Sequence, residues 1–107
     1  MIWSVEYLNE SVVGEANALA PDQRARLQRV IELIQAFGPE RIQGPHLKHL
    51  QRGLWEIRLS GRSGIGRAIY VTARCRRLVI VRVFVKKSRK TPPHELRMAL
   101  ERAKEVE

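Results

Sequence analysis

The chain has a single cysteine, Cys75, so no disulfide can close within it, and a reducing compartment such as the cytoplasm is the expected setting. It also lacks any apolar run near the roughly 20 residues that a membrane-crossing helix needs. The N-terminus has no basic-then-apolar layout of an export signal, so a soluble protein with no membrane partner is expected. Whole classes of chemistry are missing too. Of three histidines, His46 and His49 lie three apart, but neither cysteines nor an acidic cluster accompany them, so no metal site is expected. The glycine-rich stretch GRSGIG at 61–66 links two strands and lacks the following helix of a nucleotide loop. No cofactor and no small-molecule ligand are expected. Paired carboxylates are absent as well, and with them the usual two-acid route to hydrolysis.

Acidic residues are scarce in one place above all. Between residues 46 and 90 the chain carries thirteen Lys/Arg and a single acid, Glu56, while the flanking segments are slightly acidic, and the whole has a net charge of +9. An ordinary solvated surface mixes its signs. A one-sided field points to a polyanion, and nucleic acid is the expected one.

What is present is a 107-residue chain, expected to form one domain over 1–107 and able to bury roughly two thirds of its unfolded surface. IWSVEYL at 2–8 reads as an edge strand. Val12, Ala16, Leu19 and Ala20 have helical spacing behind the candidate cap Asn9. Pro21 opens a second helix whose stripe is Leu27, Val30, Ile31, Ile34 and Phe37, closed by Gly38-Pro39. Residues 44–50 read as a loop with Leu47 and Leu50 tucked beneath it. Leu54 to Ser60 alternates, with Trp55, Ile57 and Leu59 on one face and Glu56, Arg58 and Ser60 on the other. Arg67 to Thr72 is the next strand. Leu78 to Val85 is an apolar, β-branched run fit for a strand well inside the sheet, with Val79, Val81 and Val83 expected toward the helices and Arg82, Phe84 and Lys86 opposite. Thr91 is the candidate cap and Pro92 the first residue of a last helix with the stripe Leu96, Ala99, Leu100 and Ala103. The expected fold class is α+β: an antiparallel sheet of about four strands, in the order β-α-α-β-β-β-α, packed on helices with one face open.

Cations from three strands, Arg58, Arg67, Arg82, Lys86, Lys87 and Lys90, are placed by this reading to converge on one surface, with Arg89 and Lys48 beside them. Phe84 and Tyr70 offer rings for unstacked bases. Cleavage of RNA by its own 2′-OH needs a base, an acid and cations to hold the added negative charge. Arginine cannot serve as the base. A lysine crowded by like charges can, which makes Lys86 or Lys87 the candidate base and His94 a second.

The element order, with GLWEIR at 53–58, GRAIYV at 66–71 and VFVKKSRKTPPHEL at 83–96, resembles the RelE/ParE superfamily of bacterial toxins, most closely its phage-derived HigB-like branch. The resemblance covers essentially the whole chain. It implies the RelE-like fold and a type II toxin: a metal-independent endonuclease of ribosome-bound mRNA that inhibits translation and is neutralised by a cognate antitoxin. Its implied site residues here are Arg58, Arg67, Phe84, Lys86 and Lys87. Many relatives have a histidine where this chain has Arg82, which shifts weight to the lysines and arginines. Two other functions stay open: a ParE-like inhibitor of DNA gyrase without nuclease activity, and a non-catalytic RNA-binding module.

Overall fold

In the computed structural model the chain runs β1 (Ser4–Tyr7), α1 (Glu10–Asn17), α2 (Pro21–Phe37), β2 (Leu47–His49), β3 (Trp55–Gly61), β4 (Gly64–Ala73), β5 (Arg77–Lys86) and α3 (Pro93–Ala103). The structure describes residues 2–41, 47–62, 64–86 and 90–107, the side chains of Arg41 and Lys86 excepted. Among them, no helix is long and apolar enough to cross a membrane. The fold is α+β as expected, a sheet packed against three helices.

The sheet has five strands in the order β1-β5-β4-β3-β2. Strands β2 to β5 form an antiparallel meander, and β1 lies parallel to β5 with Tyr7 opposite Ile80. The extra strand is β2, in a stretch expected to be loop. Leu47 sits opposite Ile57 and packs on the core beneath α1 and α2, which draws the segment into register.

Both faces of the sheet are covered, not one. Val12, Ala16, Leu27, Val30, Ile31 and Ile34 from α1 and α2 bury Ile57, Leu59, Ala68 and Tyr70 on the first face. On the second, Leu96, Ala99, Leu100 and Ala103 of α3 meet Ile69, Val79, Val81 and Phe84. Strict alternation along β5 fails for a local reason. Ile69 pairs with Arg82 but Tyr70 with Ile80, so Val81 is one residue too many and forms a bulge. Leu78 and Ile80 therefore face α1 and α2, Val79 and Val81 face α3, and beyond the bulge Val83 rejoins the first face while Phe84 takes the second.

The helix boundaries follow their caps. Asn9 Oδ1 accepts the Val12 N–H at 3.1 Å. In α2, Gln23 reaches back to accept the Ala20 N–H at 3.1 Å, and Gly38, with φ 84°, ends the helix against the Trp3 indole. Phe37, expected in the stripe, is 60% exposed because it lies in the last turn, past the stripe's last core residue, Ile34. Pro93, not Pro92, is the first residue of α3. Thr91 makes no cap, because its hydroxyl is engaged elsewhere, as described next.

Candidate functional site

Arg58 and Arg67 are direct neighbours across β3 and β4, on the face shared with α3. That placement follows from alternation: Ile57, Leu59 and Ala68 are taken by the α1/α2 core, so their neighbours in sequence must point the other way. Arg67 is 1% exposed. Its Nε lies 3.5 Å from Glu56 Oε1 without making a hydrogen bond, and Nη1 has no partner among the described residues; nor has Arg58 Nε. Burial pulls the Arg67 guanidinium below its ordinary pKa and Arg58 adds to the pull, against the opposing charge of Glu56. Two guanidinium groups thus lie side by side with one carboxylate, Glu56, next to Arg67, and several of their N–H groups have no hydrogen-bond partner among the described residues. A phosphate is the group that such a pair holds well.

Glu56 is the residue that sequence reasoning passed over. It is fully buried, and its Oε2 accepts the Thr91 hydroxyl, which ties β3 to the start of α3. Lys48 stands opposite Glu56 in β2, and Lys48, Lys90, Thr91 and Leu96 line a cleft of about 330 Å³ beside this cluster. The signal for Glu56 in the sequence was its isolation, as the lone acid among thirteen cations.

Other expected residues lie elsewhere than expected. Arg82 is bound on two sides: Nε and Nη2 donate to Glu95 at 2.7 and 3.1 Å, and Nη1 pairs with Glu15 at 2.8 Å. The bulge and the end of β1 explain this, because beyond Ile80 the outer edge of β5 is unpaired, and Glu15 of α1 reaches it to accept the Val83 N–H at 3.0 Å. Arg102 of α3 completes the seal by donating to Glu15 and to the Val81 carbonyl. Arg82 is thus spent on structure, and its cationic role toward RNA is not what its contacts suit. Tyr70 is 2% exposed within the α1/α2 core and offers no face to a base; burial, and then the charge of Glu40, push its phenol up to about 12. Phe84 lies opposite Arg67, 7% exposed, with the Arg82 guanidinium 5.6 Å from its ring centre. A half-exposed aromatic is supplied instead by Trp55, whose ring lies 4.8 Å from that of His49. His94 is an exposed residue of the first turn of α3, 3.7 Å from Glu95. Lys87, Arg89 and the side chain of Lys86 lie outside the described residues.

The family model described as phage-derived protein Gp49-like matches residues 15–104. The chain belongs to that family. Solved structures of RelE toxins share its fold. The Gp49-like chain is similar to an arginine-to-alanine double mutant of Escherichia coli toxin RelE in the free state, with TM-score 0.68 and 16% identity over 95% of this chain and 98% of that one. It is also similar to the archaeal RelE–RelB complex from Pyrococcus horikoshii, with TM-score 0.52 and 18% identity over 79% of this chain and 96% of that one. No curated protein matches the sequence. At these identities the solved structures speak for the fold. The Gp49-like match spans β2 to α3 entire and so includes Arg58, Arg67, Glu56 and Thr91.

Proposed function

We propose that this chain is the toxin of a type II toxin–antitoxin pair and acts as a metal-independent endonuclease on mRNA held by the ribosome. The observation that carries the reading is the pair of half-buried Arg58 and buried Arg67, side by side on adjacent strands, with N–H groups that meet no partner among the described residues. In the reaction, the 2′-oxygen bonds to the adjacent phosphorus as the bond to the 5′-oxygen breaks. The 2′-proton passes to a base, and an acid protonates the departing 5′-oxygen, leaving a 2′,3′-cyclic phosphate and a 5′-hydroxyl. Arg58, the more exposed of the two, serves as the charge-holding group at the phosphate, and Arg67, 1% exposed, adds its charge from within the sheet, both fixed before the substrate arrives. Lys86 and Lys87, which follow at the end of β5, remain the proposed base. Positioning by the ribosome supplies the alignment that a site without a paired acid and base lacks. The antitoxin partner is proposed from the kinship with RelE, one relative of which is a complex with RelB.

The test is 5′-end mapping of total RNA after brief induction, for the wild type and for Arg58→Ala. New ends within translated codons are expected, reduced about 10²-fold or more in the variant, which is the usual cost of losing one charge-stabilising donor. In a message translated in vitro, replacing the 2′-hydroxyl at the mapped position by hydrogen should abolish cleavage. Growth arrest with intact message overturns the reading and turns attention to a protein target such as DNA gyrase.

A further inference from the structure

The basic surface does not stop at the α3 face. On the other side of the sheet, between α2 and the β3–β4 turn, lies an open cleft of about 520 Å³ lined by Asp22, Arg26, Arg29, Ser60, Gly61 and Arg62. Arg26 and Arg29 are three apart and so stand on one side of α2. Arg62 is at the tip of the hairpin whose strands carry Arg58 and Arg67. All three arginines are exposed. Arg26 and Arg62 make no ion pair among the described residues, and Arg29 reaches Glu32 only at 4.0 Å, with both side chains more than half exposed. Against them stands one acid in the cleft, Asp22, one oxygen of which accepts the Gln23 N–H. Gly61 lets the hairpin lie against that carboxylate, since a Cβ there would collide with it. Arg62 lies four positions beyond Arg58, roughly 13 Å at strand spacing. The hairpin tip is where the two faces of the sheet meet, so the cations run from Arg58 and Arg67 around the turn to α2.

We propose that this cleft is a second binding site for the phosphodiester backbone of RNA, one that grips the strand beyond the point of cleavage. The proposal rests on the endonuclease reading for the identity of the polyanion, and on the arginine-lined cleft for its place. Arginines on a helix and a turn, without pockets for bases, bind phosphates without reading sequence, so the grip is indifferent to codon. It separates affinity from chemistry: Arg58 and Arg67 act at the reacting phosphate, whereas Arg26, Arg29 and Arg62 hold its neighbours.

The experiment uses the full chain and the triple variant Arg26→Gln/Arg29→Gln/Arg62→Gln, with equal melting temperatures as the control for folding. Binding to a 2′-O-methyl single strand, which cannot be cleaved, is measured by fluorescence anisotropy from low to moderate salt. The triple variant is expected to lose about 2 from the slope of log K against log salt, at about 0.7 per lost phosphate contact. A hairpin of the same length distinguishes ribosomal RNA from message: loss confined to the hairpin assigns the cleft to an RNA helix, and loss on the single strand assigns it to the message. Arg58→Ala serves as the internal contrast, expected to lose only the single contact at the reacting phosphate, about 0.7 of the slope. If the triple variant loses binding yet the wild type cuts no RNA in cells, the endonuclease reading fails while the backbone site stands. Equal slopes for wild type and triple variant, or no wild-type binding at low salt, overturn the proposal, as does a variant defect seen only toward the antitoxin.

Discussion

At the scale of single residues, the decisive pair is Glu56 and Arg67, a carboxylate and a guanidinium at 0% and 1% exposure. Removing one member of a buried ion pair strands the other. Glu56→Ala is therefore expected to lower the unfolding free energy by about 3–5 kcal/mol, read from urea denaturation, whereas Glu56→Gln with Arg67→Met should recover much of that loss. The double variant should be folded and inactive, which separates the pair's structural part from its proposed role on phosphate. Thr91 adds to the same knot, since its hydroxyl donates to Glu56 instead of accepting an N–H from the first turn of α3. That Arg58 faces away from Ile57 was legible from alternation, whereas the side taken by Arg67 waited on the pairing of β4 with β3. Tyr70 was misjudged because an aromatic beside cations looks alike in sequence whether a helix covers it or not.

At the scale of elements, the critical junction is the unpaired edge of β5. An open strand edge is a template for unwanted pairing. Here Glu15, Arg82, Glu95 and Arg102 close it, tying α1, β5 and α3 together. Burial raises the Glu15 pKa, but hydrogen bonds from Arg102 and the Val83 amide and the charges of Arg82 and Arg102 outweigh it, so the folded value lies below 4.5. The stabilisation from Glu15 is present above its unfolded pKa and is lost as the pH falls through the lower, folded one. Wild-type stability should accordingly drop on the acid side of pH 4.5, and Glu15→Gln should be less stable at neutral pH with a shallower acid decline, as followed by thermal melts across that range. In α2, Ile34 is wholly buried, so Ile34→Ala is expected to cost about 2–5 kcal/mol by equilibrium unfolding.

At the scale of the whole molecule, charge is segregated by segment: the flanks that build β1, α1, α2 and α3 are slightly acidic, and the basic excess lies in the 46–90 stretch that forms β2 to β5. The proposed partners, RNA and an antitoxin, would both meet a field of one sign. Association with the antitoxin should therefore slow markedly as ionic strength rises toward about 0.15 M, with dissociation changing less, as measured by stopped-flow mixing. An association rate indifferent to salt would place the antitoxin's contact away from the basic sheet.

The sequence by itself determined the α+β class, the bounds of α2, the capping of α1 by Asn9 and the facing of Arg58 away from Ile57, because propensity, caps and alternation act within a few residues. It also carried the family resemblance, on motifs from β3 to α3. Only the tertiary structure decided that α3 covers the second face, that β1 runs parallel to β5 and stops at Tyr7, and that one surplus residue at Val81 reverses the facing of β5. Those outcomes depend on which strands become neighbours and how far each pairing extends. A bulge is a mismatch between two strands, and no pattern within either strand records it.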